Sequence, residues 1–274
     1  MIKLIGIDID GTLLTDDRKL NQDTASALQT VTKKGVEVVL ASGRPYTNTI
    51  DNLMSKFDKF DGYYIAYNGE AIYNINTKKC IYENSLDKKD IEYAYDKVKE
   101  YNKLYGASIY VYVDDEKLGS IIKAESVNEY TLIEEKNNHI LIKEINSLLS
   151  LDKAHKLMLA LDPKYVPSLY EKIKGDLGNK YTVTTSMSCY IEILKKDINK
   201  YNGLKMIAAL LNIKDDEIMG IGDSINDLEM IKYSHIGICM GNGKKEVLDS
   251  ADFATSTNNE SGIAKALNYY KELF

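Results

Sequence analysis

The run Leu4-Ile5-Gly6-Ile7-Asp8-Ile9-Asp10-Gly11-Thr12-Leu13 constrains the fold more than any other stretch of the chain. Its first half is short, apolar and rich in isoleucine, the pattern of a buried strand. It then ends in two carboxylates spaced i, i+2. A buried carboxylate without a positive partner is very costly, so a buried strand ending in two of them implies a cation at that end. In open α/β sheets, ligands bind in the crevice outside the carboxyl ends of the strands. Asp8 and Asp10 therefore point to a divalent cation, magnesium as the first reading, in a site for phosphoryl transfer.

The surrounding pattern supports such a sheet. Thr24, Ala27, Leu28 and Val31 fall at the spacing of one buried helical face, and Lys33-Lys34-Gly35 supplies charge and a stop at its end. An apolar strand over 36–40, a helix over 47–56 and a strand over 63–66 follow. Repeated strand–helix–strand units predict right-handed crossovers and a parallel sheet covered on both faces. After residue 84 the pattern changes. Helices are expected over 87–103, 124–130, 140–149 and 163–176, and strands over 108–113, 119–123, 155–161 and 181–185. That content suits a separate α+β layer. The parallel pattern resumes after Glu192, with the stripe Leu204, Ile207, Ala208 and Leu211, strands over 217–221 and 236–239, and a terminal helix from Ser261.

Four segments in order resemble the motifs of the haloacid dehalogenase-like hydrolases. They are Asp8-Ile9-Asp10-Gly11-Thr12, Ser42-Gly43-Arg44-Pro45 after a strand, Lys200 in Ile198-Asn199-Lys200-Tyr201-Asn202-Gly203, and Gly220-Ile221-Gly222-Asp223-Ser224-Ile225-Asn226-Asp227. The resemblance extends to the Cof-type branch, which inserts a large cap between the second and third motifs. It implies an α/β fold: a Rossmann-like core of parallel sheet flanked by helices, spanning 1–84 and 186–274, with an inserted α+β cap over 85–185.

The same resemblance implies a magnesium-dependent phosphatase acting on small phosphorylated metabolites such as sugar phosphates, through an aspartyl-phosphate. Asp8 takes the place of nucleophile and metal ligand. Asp10 takes that of general acid and base, with its carbonyl on the metal. Asp223 and Asp227 complete the metal set, suited to the octahedral oxygen coordination of magnesium. Ser42 and Lys200 would orient phosphate and neutralise its charge. Gly11, Gly43, Arg44, Asn68 and Asn226 stand at positions near the substrate, although Arg44 and Asn68 read equally as loop braces. Asn242, in Met240-Gly241-Asn242-Gly243, reads as a turn residue or a substrate neighbour. Lys156 matches a cap lysine of Cof-type proteins. Strand alternation puts it on the face opposite His155, Leu157 and Leu159. There it either binds a substrate hydroxyl or second phosphate, or lies solvated outside.

Two rivals use the same residues: a phosphomutase, and a non-catalytic protein that retains a phosphosugar pocket. The complete acid set argues against the second, and Asp10, absent from the family's dehalogenases, argues for phosphate chemistry. A net charge of −6 argues against a general affinity for nucleic acid, which would need a basic patch. Cys80, Cys189 and Cys239 are widely spaced and suit a reducing cytoplasm rather than a disulfide framework. His139, His155 and His235 stand apart, which disfavours a histidine pair. With no apolar run of membrane length and no signal peptide, the chain is expected in the cytoplasm, as a monomer or weak homodimer.

Overall fold

The computed structural model describes all residues except 58, 59, 116, 117, 139 and 186, and of 48, 51, 52, 137 and 138 it describes the backbone only. His139 thus lies outside the described residues. The chain forms two compact units: Met1–Gly43, Ile50–Tyr82 and Asn199–Phe274 make one, Arg44–Thr49 and Glu83–Ile198 the other.

The first unit starts with β1 (Leu4–Asp8), α1 (Gln22–Lys33), β2 (Glu37–Ala41), α2 (Thr47–Met54), β3 (Tyr63–Ala66), β4 (Ala71–Asn74) and β5 (Lys79–Glu83). The second carries β6 (Leu86–Asp87), α3 (Lys88–Val98), α4 (Glu100–Tyr105), β7 (Ser108–Asp115), β8 (Gly119–Ala124), α5 (Glu129–Asn138) and β9 (Ile142–Glu144). It continues with β10 (Lys153–Ala154), β11 (Lys156–Ala160), α6 (Val166–Leu177), β12 (Tyr181–Thr184) and β13 (Tyr190–Lys195). The chain then returns to the first unit through α7 (Lys200–Leu210), β14 (Ile218–Gly222), α8 (Leu228–Tyr233) and β15 (Ile236–Cys239). It ends with α9 (Lys245–Leu248), β16 (Phe253–Ala254) and α10 (Gly262–Tyr269).

Among the described residues, the first unit has an eight-stranded sheet of order β16-β15-β14-β1-β2-β3-β4-β5. From β16 to β3 every pairing is parallel, and β4 turns back antiparallel on β3. Strand order reverses at β1, which has β2 on one side and β14 on the other, and a crevice opens at such a switch point. Register brings Asp8 beside Ala41 and Ile7 beside Ile221, so the loops carrying Ser42 and Asp223 leave the sheet at one edge with Asp8. Leu204, Ile207 and Ala208 of α7 pack over Leu4, Val39, Ile65 and Ile218, covering one face. Burying this face removes the strand side chains from water and is the main stabilising term for the sheet.

The second unit holds a six-stranded mixed sheet of order β12-β13-β11-β7-β8-β9. Ile109, Val111, Leu157, Leu159, Ile191 and Ile193 point to one face, with Ile91, Val98, Leu169 and Ile173 of α3 and α6 packed on it. The fold is therefore α/β, a mostly parallel sheet with helices plus a separate mixed-sheet layer.

Two helices expected from the sequence do not form as read. The apolar spacing of Ile142, Ile145 and Leu149 mimics a helix, but Ile142–Glu144 pairs as a parallel edge strand on β8. Ser147 then caps a short 3-10 turn, Leu148–Ser150. The expected helix over 124–130 is displaced to Glu129–Asn138, started by the Asn128 side chain, which accepts from Thr131 N at 3.0 Å. Its polar composition leaves little apolar stripe to read. Strand β13 pairs antiparallel with β11 and β12 and so belongs to the mixed sheet; its near-continuous apolar run reads from sequence like a parallel-sheet strand.

Asp87 and Asp90 form a reciprocal capping box at the start of α3, with backbone-to-carboxylate bonds of 3.0 and 3.1 Å. Replacing Asp87 with Ala should lower the stability of the second unit by about 1 kcal/mol. Denaturant titration measures this; an unchanged midpoint would show that the cap contributes nothing.

Candidate active site

The site grows from the carboxyl ends of β1 and β14. Asp8 closes β1 and is buried, 5% exposed. The chain turns directly after it, with Leu13 N donating to Asp8 O at 3.1 Å and Leu14 N to Ile9 O at 3.0 Å. Gly11 sits at φ 82°, and a Cβ there would lie 2.7 Å from Asp223 Oδ2. Only glycine allows both that conformation and that approach. Thr12 donates its hydroxyl to Asp223 Oδ1 at 2.8 Å, joining the loop after β1 to the loop after β14.

Lys200 is the first residue of α7, whose N-cap Asn199 accepts from Asn202 N at 2.8 Å. Its side chain is wholly buried. The ammonium donates to Asp8 Oδ1 and, at 2.7 Å, to Asp227 Oδ1. Asp227 Oδ2 accepts from the backbone of Asp223 at 3.1 Å and of Ser224 at 2.9 Å. Asp227 thus fixes both the lysine and the loop that carries Asp223.

Oxygens of Asp8, Asp223 and Asp227 lie within 4.8 Å of one another. One ammonium faces three carboxyls there. Burial, reinforced by Asp227, pushes the Asp8 carboxyl well above the usual range despite the opposing pull of Lys200. Burial and Asp227 likewise push Asp223 to about 6. Lys200 is held above its ordinary value, since Asp227 and Asp8 outweigh the burial that disfavours its charge. This surplus of hard oxygen donors over positive charge fits a hard divalent cation such as magnesium. The donor set passes the chemical test for that ion.

A second group lies on the β2–β3 side of the first unit. Ser42 is buried, donates its amide to Ile65 O at 2.9 Å and accepts from Asn68 N at 2.9 Å. Asn68 is held in the left-handed region at φ 59° and is 3% exposed. Its Oδ1 accepts from Asn226 Nδ2 at 3.0 Å and would lie 3.2 Å from a Cβ placed on Gly43. Ser42, Gly43, Asn68 and Asn226 are therefore brought together. Asp10 is exposed and bridges to Leu14. Asn242 binds Gly11 O through Nδ2 at 2.8 Å, a loop brace.

Arg44 and Lys156 belong to the second unit. Lys156 is 2% exposed, so the solvated alternative is set aside. It pairs with Glu192 at 3.1 Å and sits 4.8 Å from the centroid of the Tyr112 ring, on the sheet face opposite Leu157 and Leu159. Tyr112 donates to Glu134, whose carboxyl is pushed up by burial against the pull of Lys156 and Arg44. The sequence reading misses Glu134, Glu192 and Tyr112, because each is a common residue in an ordinary element until the sheet juxtaposes them. It also misses that Asn199 holds the site, although the Asn at an N-cap position is an available signal; Thr12, read as shaping its loop, does so by its bond to Asp223.

Both Asp8 and Asp223 titrate higher in the folded chain than in the unfolded one. Without metal, the stability tied to the protonated Asp223 is lost as pH rises from the ordinary carboxylate range through about 6, and Asp8 adds a loss of the same sign. Melting with chelator should show stability falling by on the order of 2 kcal/mol between about pH 4 and 6.5, recovered by magnesium at the upper end. Asp223→Asn should flatten the fall. An equally steep decline in that variant would place the titration elsewhere.

Comparison with known proteins places the chain in a family. A family model described as haloacid dehalogenase-like hydrolase matches residues 5–267. YxeH of Bacillus subtilis strain 168, provisionally named a phosphatase, is 32% identical over 98% of each chain. YcsE of the same organism, named a 5-amino-6-(5-phospho-D-ribitylamino)uracil phosphatase, is 27% identical over 98% of this chain and 96% of its own. The crystal structure of a haloacid dehalogenase-like hydrolase from Bacteroides thetaiotaomicron superposes with a TM-score of 0.80 at 29% identity, covering 98% of this chain and all of that one.

Proposed function

Because this chain belongs to the haloacid dehalogenase-like hydrolases and is a phosphoric monoester hydrolase of their Cof-type branch, we propose that it cleaves small monophosphorylated metabolites through an aspartyl-phosphate on Asp8. The observation that carries this reading is the buried Lys200 ammonium held between Asp8 and Asp227, beside Asp223.

An Asp8 carboxylate oxygen attacks phosphorus while the bond to the leaving oxygen breaks. Asp10, protonated, gives its proton to that oxygen. Asp10 as carboxylate then takes a proton from water, whose oxygen attacks the same phosphorus and releases phosphate and free Asp8. Lys200 neutralises charge on Asp8 and the transferring group. Ser42, the Gly43 amide, Asn68 and Asn226 hold phosphate oxygens. Asp8, Asp223 and the Asp10 carbonyl, with Asp227 in support, would hold magnesium, which would supply further charge neutralisation at phosphate oxygens. Such positioning and neutralisation account for most catalysis of phosphoryl transfer.

Lys156 and Arg44 are the substrate-binding residues of the second unit in this reading. Lys156 is already compensated by Glu192, so it suits a neutral hydroxyl and not a second phosphate. The substrate class is accordingly a monophosphate with an uncharged, hydroxyl-bearing leaving group. The three thiols, of which Cys189 and Cys239 are buried, suit a cytoplasmic enzyme. Among the described residues, no helix is long and apolar enough to cross a membrane.

The test is phosphate release from a panel of phosphorylated metabolites with magnesium or chelator, beside Asp8→Asn. Release should require magnesium and fall at least about a thousandfold in the variant. Isomer formation without phosphate release would make it a phosphomutase. Silence for both, with phosphosugar binding retained, would make it a binding protein. Within the panel, monophosphates of neutral polyols should exceed the matching bisphosphates in kcat/KM by about tenfold or more, the equivalent of one unfavourable buried charge contact. A preference for bisphosphates would refute the role given to the Lys156–Glu192 pair.

A further inference from the structure

Asp10 must deliver a proton at a fixed point, yet it is itself exposed, on the stretch between β1 and α1. That stretch is secured from outside by carboxamides of two loops far along the chain. Asn242, after β15, donates from Nδ2 to Gly11 O at 2.8 Å. Asn258, in the turn after β16, donates from Nδ2 to Leu14 O at 2.9 Å and to Asp16 Oδ1 at 3.1 Å. The two are coupled, because Asn258 N donates to Asn242 Oδ1 at 3.0 Å. Asn259 grips the same loop reciprocally, donating to Asp16 Oδ2 at 2.8 Å and accepting from Asp16 N at 3.1 Å.

The points of attachment matter. Gly11 directly follows Asp10, and Leu14 is the residue to which Asp10 bridges. The amides therefore hold the backbone at the next peptide and at the bridge partner. Asn258 is 3% exposed and its turn is itself secured by a Thr257–Glu260 capping box. A rigid buried support of this kind is what a general acid needs, since small displacements of a catalytic group cost large factors in rate. The Asn258 side chain bonds Leu14 and Asp16 of the Asp10 loop, and the Asn242 side chain bonds Gly11 and the backbone of Asn258.

We propose that Asn258, acting with Asn242, is a positioning residue for proton transfer by Asp10. The inference rests on the phosphatase reading above, in which Asp10 protonates the leaving oxygen. It implies a dependence on the leaving group that a general loosening of the fold does not produce. An alkyl phosphate expels a basic alkoxide and needs the proton. p-Nitrophenyl phosphate expels a stable phenolate and does not. The parameter to read is kcat/KM, which covers formation of the aspartyl-phosphate; kcat also includes its hydrolysis, where Asp10 acts as base.

The experiment compares wild type, Asn258→Ala, Asn242→Ala and Asp10→Asn on p-nitrophenyl phosphate and on the alkyl phosphate ranked first in the panel. Asn242 is exposed, so its variant keeps the test valid if Asn258→Ala does not fold. In the asparagine variants, kcat/KM for the alkyl phosphate should fall about tenfold or more, part of the usual general-acid contribution. For p-nitrophenyl phosphate it should fall less than about threefold, the same split as Asp10→Asn in smaller measure. Equal losses on both substrates, or no loss on either by a folded variant, would overturn the proposal. Wild type inactive on both would overturn the phosphatase reading and this inference with it, whereas active wild type with an even loss overturns this inference alone.

Discussion

Everything at the centre of the first unit depends on one buried ammonium. Lys200 is wholly removed from water and makes contacts with Asp8 and Asp227 that replace its hydration. Burying such a set is not a gain in stability; an apolar cluster of the same volume is often as good or better. What the arrangement supplies is position. Asp227, held by two backbone amides and the lysine, fixes the loop after β14, and Thr12 carries that order across to the loop after β1. The carboxyls that remain pushed up, Asp8 and Asp223, mark where positive charge is still wanted.

The sheet explains why these groups meet. Parallel pairing sends the loops after β1, β2 and β14 to one edge, and the reversal of strand order at β1 leaves room there. Close backbone approach at Gly11 then lets the Asp10 loop lie against Asp223. The second unit uses a different logic: one sheet face is buried under helices, and the other carries the compensated pair Lys156 and Glu192 with Tyr112 and Glu134. The two units are thus built around separate sheets.

Much of this was legible in the residues. Asp8 and Asp10 announce themselves because charge at the end of an apolar strand needs a cause, and the order of the segments around Ser42, Lys200 and Asp223 identifies the class of fold. The helix over 140–149 was not legible correctly: Ile142, Ile145 and Leu149 satisfy a helical period, yet pairing with β8 outweighs that local preference. Lys156 stood equally as a surface charge until Glu192, on a strand 36 residues away, was seen to neutralise it. Asn258 carried no signal, since an asparagine in a polar turn is ordinary.

The sequence by itself determined the strand that ends in carboxylates, the alternation that builds a parallel sheet, and the interruption that sets aside a second layer. These follow from local propensity and periodicity, which act over a few neighbouring residues. Only the tertiary structure decided which charges meet: Lys200 with Asp8 across 192 positions, and Asn258 with Leu14 across 244. Such pairings depend on where the crossovers return each segment, and a buried donor finds its acceptor only after the sheet has closed over both.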